Sequence, residues 1–494
     1  MLPNPRKRVL LDVADTASVP LTKRLRPAYS TGLPPPESHE CARLITRSAS
    51  HGRRALIIQL DKPFYIGRSE NCDYQLPEPS ISNSHCRVYA LVVDTGEVLV
   101  YLEDTSTNGT LHNDRKLSRS TVVLCEGDRI EIGRQVFRYA QESTVQPADQ
   151  LVKSTIKPPT QLGNYLILDR SLGSGAFSTV FLAFNTKTLK QVACKKMARS
   201  PVAGHSLASI QREIGILKSA SHPNINKIED VIISDNAVHI FLQLVSGGDL
   251  FSYLVKRGRL GAPQAKWILY QLLQGLKYLH ETVNVAHRDI KLENIILCSS
   301  GSFPMIQLAD FGQAKYATRD FKSLKGTLQY MAPEQLTAWT RTSGYSGKLA
   351  DMWSTGIVLA LLLIGSHPFE PFGSATASSS TVSSSSSFTL TSPPGGAGGE
   401  RAGGLSLFGP TGQGELLSNP SERRVCMAIA KGGLTLPALK FGSEDFAVRT
   451  LLSLLLSYDP RRRATTKQAL ESRWMLTSKK ELEELYKKVI VVKG

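Results

Sequence analysis

Four polar side chains lie at spacings that suit the transfer of a phosphate group. Lys195 stands in "VACK", Asp289 and Asn294 stand in "HRDIKLEN", and Asp310 stands in "DFG". Phosphoryl transfer needs positioning and charge neutralisation more than covalent help from a protein. A lysine holds phosphate oxygens, Asn294 and Asp310 supply oxygen ligands suited to magnesium, and Asp289 would accept the proton of an attacking hydroxyl. The set predicts ATP and Mg²⁺ as cofactors.

A glycine-rich segment, "LGSGAFSTV" at 172–180, precedes these residues and follows a strand-like run. Gly173 and Gly175 permit a tight turn close to phosphates. Ser178 occupies the place of the third glycine in the usual G-x-G-x-x-G pattern. Glycine-rich turns are common, so this motif gains its meaning from the motifs that follow it.

Five motifs occur in one order: "LGSGAFSTV", "VACK", "HRDIKLEN", "DFG" and "APE". Together they resemble the signature set of the eukaryotic protein kinases, over residues 161–475. The resemblance implies a bilobal α+β protein kinase domain. Lys291 and Thr327 match the serine/threonine branch rather than the tyrosine kinases. The catalytic residues that the resemblance implies are Lys195 with its partner Glu213, Asp289, Lys291, Asn294 and Asp310.

The same resemblance implies where ATP binds. Leu242 would lie behind the adenine, and the backbone of the hinge "LQLVSGGDLF" would meet its edge. Two alternatives stay open for Asp249. Its carboxylate contacts the ribose or a basic residue of the substrate, or it is an ordinary solvated acid. The implied structural contacts are a role for Asp351 and an ion pair between Glu334 and Arg463. The expected ATP-binding residues are Leu172, Gly173, Ser174, Gly175, Ala176, Phe177, Val180, Ala193, Lys195, Gln243, Val245 and Asp249.

The segment between the "DFG" and "APE" motifs contains hydroxyl residues that are candidates for control by phosphorylation. Ser323 is the first candidate and Thr327 the second. Arg288, just before Asp289, would pair with an added phosphate and order the segment. Thr327 has an alternative reading as a structural contact to Asp289.

Three short motifs earlier in the chain suit the binding of phosphate rather than its transfer. They are "GR" at 67–68, "SNSH" at 82–85 and "TNGT" at 107–110. A dianionic phosphate favours a planar guanidinium and short hydroxyl or amide donors. The three motifs resemble the forkhead-associated (FHA) domain, a phosphothreonine reader, over residues 41–141. His85 is expected to be a structural brace. The implied phosphopeptide-binding residues are Arg68, Ser82, Asn83 and Thr107, with Asn108 on the ligand backbone.

The composition of successive segments predicts a multidomain chain. Short β-rich runs separated by turn residues predict an all-β sandwich at 41–141. The kinase-like stretch at 161–475 contains a Ser/Gly-rich insertion at 371–420, which is predicted to be disordered. The apolar run "TGIVLALLLIG" is too short to span a bilayer and predicts a buried helix. The remaining segments are a disordered basic N-terminus at 1–40, a linker at 142–160 and a helical tail at 476–494.

The charge pattern predicts a nuclear protein. The chain has 494 residues and a net charge of +17, and "PRKR" and "KRLR" near its start resemble a bipartite import signal. A solvated basic tail is the alternative. The seven cysteines form no Cys-x-x-Cys pair and are read as reduced thiols. Neither direct nucleic-acid binding nor membrane association is expected, and no signal peptide is predicted.

The combination of a phosphate reader and a kinase resembles the FHA-containing checkpoint-effector kinases of the calcium/calmodulin-dependent-like group. That family implies DNA-damage or meiotic-recombination signalling. Many mitotic members carry a cluster of Ser-Gln and Thr-Gln sites for upstream damage kinases. This chain has a single such site, Thr160-Gln161, which favours the fungal meiotic branch. Glu293 and Asp249 predict basophilic protein substrates, and phosphothreonine proteins and further copies of the chain are the other expected partners. The alternative function is a phospho-dependent nuclear scaffold. Lys195, Asp289 and Asp310 are all present, which favours the enzyme.

Overall fold

The computed structural model describes two folded parts and the short segments that flank them. The N-terminus before Glu40, nearly all of the linker and most of the Ser/Gly-rich insertion fall outside the described residues, so the predictions of disorder there stay predictions. Within the insertion, Phe388–Thr389 pairs antiparallel with Thr435–Leu436. The described residues are 40–48, 52–60, 62–93, 97–141, 158–175, 178–198, 215, 218, 220–234, 236–298, 301–317, 321, 326–338, 344–369, 388–389, 420–432, 435–436 and 444–493.

The first part is a β-sandwich, as the short β-rich runs predicted. One sheet has the order β2-β1-β11-β10-β7-β8 and the other β4-β3-β5-β6-β9. Alternate residues of both sheets are buried between them, including Leu44, Ile66, Val88 and Phe137. The strands are β1 Glu40–Ser48, β2 Gly52–Gln59, β3 Phe64–Gly67, β4 Tyr74–Gln75, β5 Cys86–Val92, β6 Val98–Asp104, β7 Thr110–His112, β8 Arg115–Leu117, β9 Thr121–Val123, β10 Arg129–Ile132 and β11 Gln135–Gln141.

The second part begins with a six-stranded antiparallel sheet of order β12-β13-β14-β15-β17-β16. Lys195 lies opposite Ile240 and Ala193 lies opposite Leu242, so β15 and β17 carry the predicted lysine and hinge side by side. The strands are β12 Thr160–Leu162, β13 Tyr165–Gly175, β14 Ser178–Asn185, β15 Lys190–Ala198, β16 Ile228–Ile233 and β17 Ala237–Gln243.

The larger lobe is mainly helical and contains most of the apolar core. Its short strands are β18 Val285–Ala286, β19 Ile295–Leu297, β20 Ile306–Leu308 and β21 Lys315–Tyr316. Its helices are α1 Leu250–Arg257, α2 Ala262–Lys277, α3 Pro333–Ala338, α4 Gly347–Ile364, α5 Pro420–Lys431, α6 Asp445–Leu455, α7 Thr466–Leu470, α8 Arg473–Leu476 and α9 Lys479–Lys493. The predicted C-terminal helix is therefore present as α9.

Helix α4 is the buried helix that the apolar run predicted. On length and composition alone it is the one described helix that is apolar enough to cross a membrane, but 83% of it is buried inside the protein. Its Asp351 accepts hydrogen bonds from the backbone N–H groups of His287 and Arg288 at 2.8 and 2.7 Å. His280 lies 2.8 Å from the same carboxylate. Asp351 therefore anchors the loop that precedes Asp289, which confirms its expected structural role.

A second buried contact fixes the region after the "APE" motif. Arg463 is fully buried and forms a bidentate ion pair with Glu334 at 2.6 and 2.9 Å. Its remaining N–H groups donate to the carbonyls of Leu349 and Ser457. The predicted Glu334–Arg463 pair is thus confirmed. All seven cysteines are free thiols.

Candidate active site and phosphopeptide site

Lys195 and Asp310 meet at the junction of the two lobes. The Lys195 Nζ lies 2.6 Å from Asp310 Oδ1. Burial would raise the pKa of Asp310, but the charge and hydrogen bond of Lys195 outweigh it and lower that pKa to about 2. Asp310 is held in the left-handed backbone region, with φ +59°, and its carboxylate also accepts the N–H of Gly312. The proposed lysine partner, Glu213, lies outside the described residues.

Two segments of the chain hold the Asp289 carboxylate, the loop that contains Asp289 and the segment around Thr327. Asp289 Oδ1 accepts the N–H and the hydroxyl of Thr327, each at 3.0 Å. Its Oδ2 accepts Asn294 Nδ2 at 3.0 Å and lies 3.1 Å from Lys291 Nζ. Lys291 also donates to the Thr327 hydroxyl at 2.9 Å. The structure therefore joins four sequence-predicted residues into one network around a single carboxylate.

Thr327 contacts the catalytic loop through both its hydroxyl and its backbone. This geometry favours the structural reading of Thr327 over the phosphorylation reading, because a phosphate there would lie against the Asp289 carboxylate. Ser323 lies outside the described residues, so its phosphorylation stays a prediction. Arg288 is buried, donates to the Tyr345 hydroxyl at 2.9 Å, and lies 4.4 Å from the centre of the Phe321 ring. Arg288 thus already contacts Phe321, inside the segment it was expected to order, and Tyr345, beyond that segment.

The predicted ATP-binding residues lie along β13, β14, β15 and the hinge. Gly175 at the end of β13 lies opposite Ser178 at the start of β14, and the intervening Ala176 and Phe177 lie outside the described residues. The rest of the predicted set comprises Leu172, Gly173, Ser174 and Val180 on β13 and β14, Ala193 and Lys195 on β15, Gln243 and Val245 in the hinge, and Asp249 just before α1.

Asp249 is the N-cap of α1. Its carboxylate accepts the N–H and the hydroxyl of Ser252 at 2.7 and 2.8 Å. Asp249 therefore caps the first turn of α1. Glu293 lies in a short turn, Leu292–Asn294, directly after Lys291.

The phosphopeptide residues of the sandwich lie on loops that are cross-linked. The Arg68 N–H donates to the Ser82 carbonyl and its Nε to the Ile81 carbonyl, while the rest of the side chain is exposed. The Ser82 hydroxyl accepts the N–H of Thr107 at 3.1 Å. Asn108 donates its amide to the Ser80 carbonyl at 2.7 Å. The structure thus brings Arg68, the loop at 80–84 and the loop at 105–109 to one end of the sandwich.

Gly67 explains why a glycine precedes the arginine. A Cβ atom there would lie 2.4 Å from the Asn83 carbonyl oxygen and 2.9 Å from the backbone nitrogen of His85. Only a residue without a Cβ allows β3 to approach this loop so closely. His85 is buried and its Nδ1 accepts the N–H of Ser82 at 3.2 Å, so it braces the loop as expected. Burial lowers the pKa of His85, which favours the neutral ring.

Thr105 is a site residue that sequence reasoning missed. Its hydroxyl contacts the carbonyl oxygens of Ser84 and His85 at 3.0 and 3.2 Å, and its N–H donates to the His85 carbonyl. These bonds join the two recognition loops. The signal in the sequence is weak, because a hydroxyl residue two positions before "TNGT" has many possible roles.

The fold and the two sites agree with comparisons to known proteins. A family model described as "Protein kinase domain" matches residues 166–475, which is more than half of the chain. The chain belongs to the protein kinase family. An "FHA domain" model matches residues 64–133, within the sandwich. The N-terminal part is therefore an FHA domain, and the chain is an FHA-containing serine/threonine kinase.

Three similar proteins are all named as protein kinases. "Meiosis-specific serine/threonine-protein kinase mek1" of Schizosaccharomyces pombe is 35% identical over 67% of this chain and 75% of that protein. "Serine/threonine-protein kinase cds1" of the same organism is 34% identical over 63% and 70%. "DNA damage response protein kinase DUN1" of Saccharomyces cerevisiae is 31% identical over 62% and 71%.

The kinase family fixes the reaction class and the kinds of partner. A protein kinase domain uses ATP and binds protein substrates, and an FHA domain binds phosphothreonine peptides. This FHA kinase therefore both reads and writes phosphate on proteins.

Proposed function

We propose that the chain phosphorylates serine or threonine through Asp289, with Lys195 on the phosphates of ATP and with Asn294 and Asp310 as the ligands of Mg²⁺. The observation that carries this assignment is the network around Asp289, in which Thr327, Asn294 and Lys291 contact the two carboxylate oxygens. A carboxylate held at both oxygens is fixed before the substrate binds. The carboxylate therefore already points in the direction needed to accept the proton, and it does not have to reorient during the reaction.

The donor set near Asp289 fits a magnesium ion. Asp310 supplies an ionised carboxylate, since its pKa is lowered to about 2, and Asn294 supplies an amide oxygen. Hard oxygen donors of this kind are what Mg²⁺ prefers. When bound, the ion neutralises charge on the phosphates. Lys195, which contacts Asp310 directly, would then be shared between this carboxylate and the phosphate oxygens.

The attacking hydroxyl is oriented by the chain itself. Asp289 accepts its proton while Lys291, 3.1 Å from Asp289 Oδ2, supplies positive charge beside the transferring group. Thr327 links Lys291 to Asp289 through its hydroxyl, so the three side chains form one hydrogen-bonded unit. Glu293 and Asp249 place negative charge on the substrate side of the loop. A basic residue three positions before the target serine or threonine is therefore proposed to be favoured.

The FHA domain is proposed to recruit the kinase to phosphothreonine proteins. Arg68, with its exposed guanidinium, supplies the main cation, and Ser82, Asn83, Thr107 and Asn108 supply neutral donors. Binding such a partner raises the effective concentration of nearby substrate, or of a second copy of the chain, into the millimolar range. Phospho-dependent self-association and activation in trans follow from the same argument.

The pathway is proposed from the relatives together with the basic N-terminus. The similar proteins are described as meiosis-specific and as DNA damage response kinases, which supports a role in checkpoint signalling during DNA damage or meiotic recombination. The clusters "PRKR" and "KRLR" support nuclear import. Among the alternatives, a meiotic role is favoured by the similarity to the meiosis-specific kinases.

A phosphate-transfer assay distinguishes this function from that of a phospho-dependent scaffold. The purified 494-residue chain is given radiolabelled ATP and a peptide with Arg three residues before Ser, in parallel with Asp289→Asn. Asp169→Asn is the matched control, because Asp169 is an exposed carboxylate on β13. We expect transfer by wild type and by the control and none by Asp289→Asn. Equal transfer by all three would contradict the assignment of Asp289, and no transfer by any would favour the scaffold.

A further inference from the structure

One sheet of the FHA domain is apolar on both faces. Along β5, Val88 and Ala90 point into the sandwich core, whereas the alternate residue Tyr89 is also buried, on the opposite face. β6 behaves in the same way, with Leu99 and Tyr101 buried outside the sandwich core. An antiparallel sheet with one face in water normally alternates apolar and polar residues. The uninterrupted apolar runs "VYALVV" and "VLVYL" therefore indicate that something covers the second face.

The cover is the smaller lobe of the kinase. Leu182 of β14 is fully buried in a cluster with Tyr89, Leu99 and Tyr101. Leu168 and Leu172 of β13 and Leu244 of the hinge pack against the same cluster. Burial of apolar surface stabilises such a contact by about 25 cal/mol per Å². The two domains therefore share an apolar core in addition to their own.

Polar contacts at the edge of this cluster fix the alignment of the two domains. β9 is the edge strand of its sheet, and an edge strand has unpaired backbone groups. The side-chain amide of Gln191 pairs with both groups of Val123, accepting its N–H at 2.7 Å and donating to its carbonyl at 2.8 Å. Arg170 contacts Glu97 at 3.1 Å and the Leu124 carbonyl at 3.0 Å. Kinase side chains thus complete the edge of the FHA sheet.

The contact reaches the hinge itself. The Tyr89 hydroxyl donates to the Ser246 hydroxyl at 3.2 Å and approaches its carbonyl oxygen at 3.4 Å. Tyr89 and Ser246 are 3% and 2% exposed, so water does not compete for these bonds. Ser246 directly follows Val245, whose backbone is the proposed contact for the adenine edge. The reader domain thus bonds to the residue beside the nucleotide site.

We propose that Tyr89 is a positioning residue for ATP, and that the FHA domain forms the outer wall of the hinge. This inference rests on the proposed adenine position at Gln243 and Val245. Tyr89 does not contact the nucleotide; it fixes Ser246 and, through the intervening peptide bond, the direction of the Val245 backbone groups. The packing of Leu244 against the same apolar cluster adds a second restraint. A hinge restrained on its outer side loses less conformational freedom when ATP binds.

The test compares Tyr89→Phe with a matched control in the 494-residue chain. Tyr89→Phe removes one oxygen and keeps the ring that stacks on Tyr101 at 5.6 Å. Tyr139→Phe removes the same atom from the FHA core, where the hydroxyl has no hydrogen-bond partner among the described residues. We expect Tyr89→Phe to raise the KM for ATP roughly three- to tenfold, the effect of one buried hydrogen bond, with kcat within about twofold of wild type. Tyr139→Phe should leave both constants unchanged.

A kinase-side variant and a binding readout complete the test. Ser246→Ala should raise the KM for ATP by the same factor or less, and the double variant should match Tyr89→Phe because both changes break one bond. Direct ATP titration and hydrogen exchange over residues 243–248 report on the hinge even in a chain that transfers no phosphate. Weaker ATP binding and faster exchange in Tyr89→Phe support the proposal. Values equal to those of Tyr139→Phe, or additive effects in the double variant, would overturn it.

Discussion

The Thr327 hydroxyl links Asp289 and Lys291 of the catalytic loop, and its removal should cost activity. In Thr327→Val the hydroxyl contacts to Lys291 and Asp289 disappear, while the backbone N–H still donates to Asp289. A hydrogen bond to a charged group contributes about 1.5–3 kcal/mol. We therefore expect kcat/KM on a short peptide to fall roughly ten- to a hundredfold. Thr327→Ser keeps the hydroxyl and should stay within about threefold of wild type.

Thr327→Glu separates the structural role of this residue from the phosphorylation role. A carboxylate at this position lies against Asp289, and two like charges in contact repel each other. The variant should be at least as inactive as Thr327→Val. Thr450→Val is the matched control, since its hydroxyl is exposed on α6 and contacts only the Phe446 carbonyl among the described residues. Phosphothreonine-peptide binding checks that each variant is folded. An active Thr327→Glu, or near-normal Thr327→Val, would refute the reasoning.

Three further predictions concern stability and recognition. Glu334→Ala leaves the Arg463 guanidinium buried without its carboxylate and should destabilise the kinase domain by about 3–5 kcal/mol in chemical denaturation. Gly67→Ala places a Cβ 2.4 Å from a backbone oxygen and should abolish phosphothreonine-peptide binding in fluorescence anisotropy. Burial lowers the pKa of His367 to about 4, so between about pH 6.5 and pH 4 the His367 ring takes up a proton in the unfolded chain but not in the folded one. Stability should fall as the pH drops from 6.5 towards 4, and His367→Asn should flatten that decline in thermal midpoints.

The kinase core was predictable because its chemistry uses residues in fixed order. Asp289, Asn294 and Lys291 lie within six positions of one another, so one short motif places them on one loop. The predicted contacts of Asp351 and Glu334 followed from the family resemblance and are confirmed. Arg68 and its neighbours lie in separate loops, and three motifs in order were needed to associate them.

Other features depend on packing that no local motif records. Asp249 was weighed as a ligand contact or a solvated acid, and both readings stay predictions. The structure adds a helix cap that neither reading included, because Ser252 lies one turn further on. The contact between the FHA domain and the hinge was not predicted from the sequence. Tyr89 and Leu99 read as ordinary strand residues, and their partners Leu182 and Ser246 lie more than 80 residues away. Only the double-sided apolar pattern of β5 and β6 indicated this interface.

The most direct measurement compares Arg68→Ala and Lys195→Arg in the same two assays, phosphothreonine-peptide binding and peptide phosphorylation. Arg68 supplies the exposed cation of the reader, so its loss should weaken peptide binding roughly ten- to a hundredfold. Pre-activated Arg68→Ala should keep a near-normal rate on a short peptide, although its activation in cells should weaken. Lys195→Arg should keep peptide binding and lose transfer. An Arg68→Ala kinase that activates normally in cells would contradict recruitment through the reader.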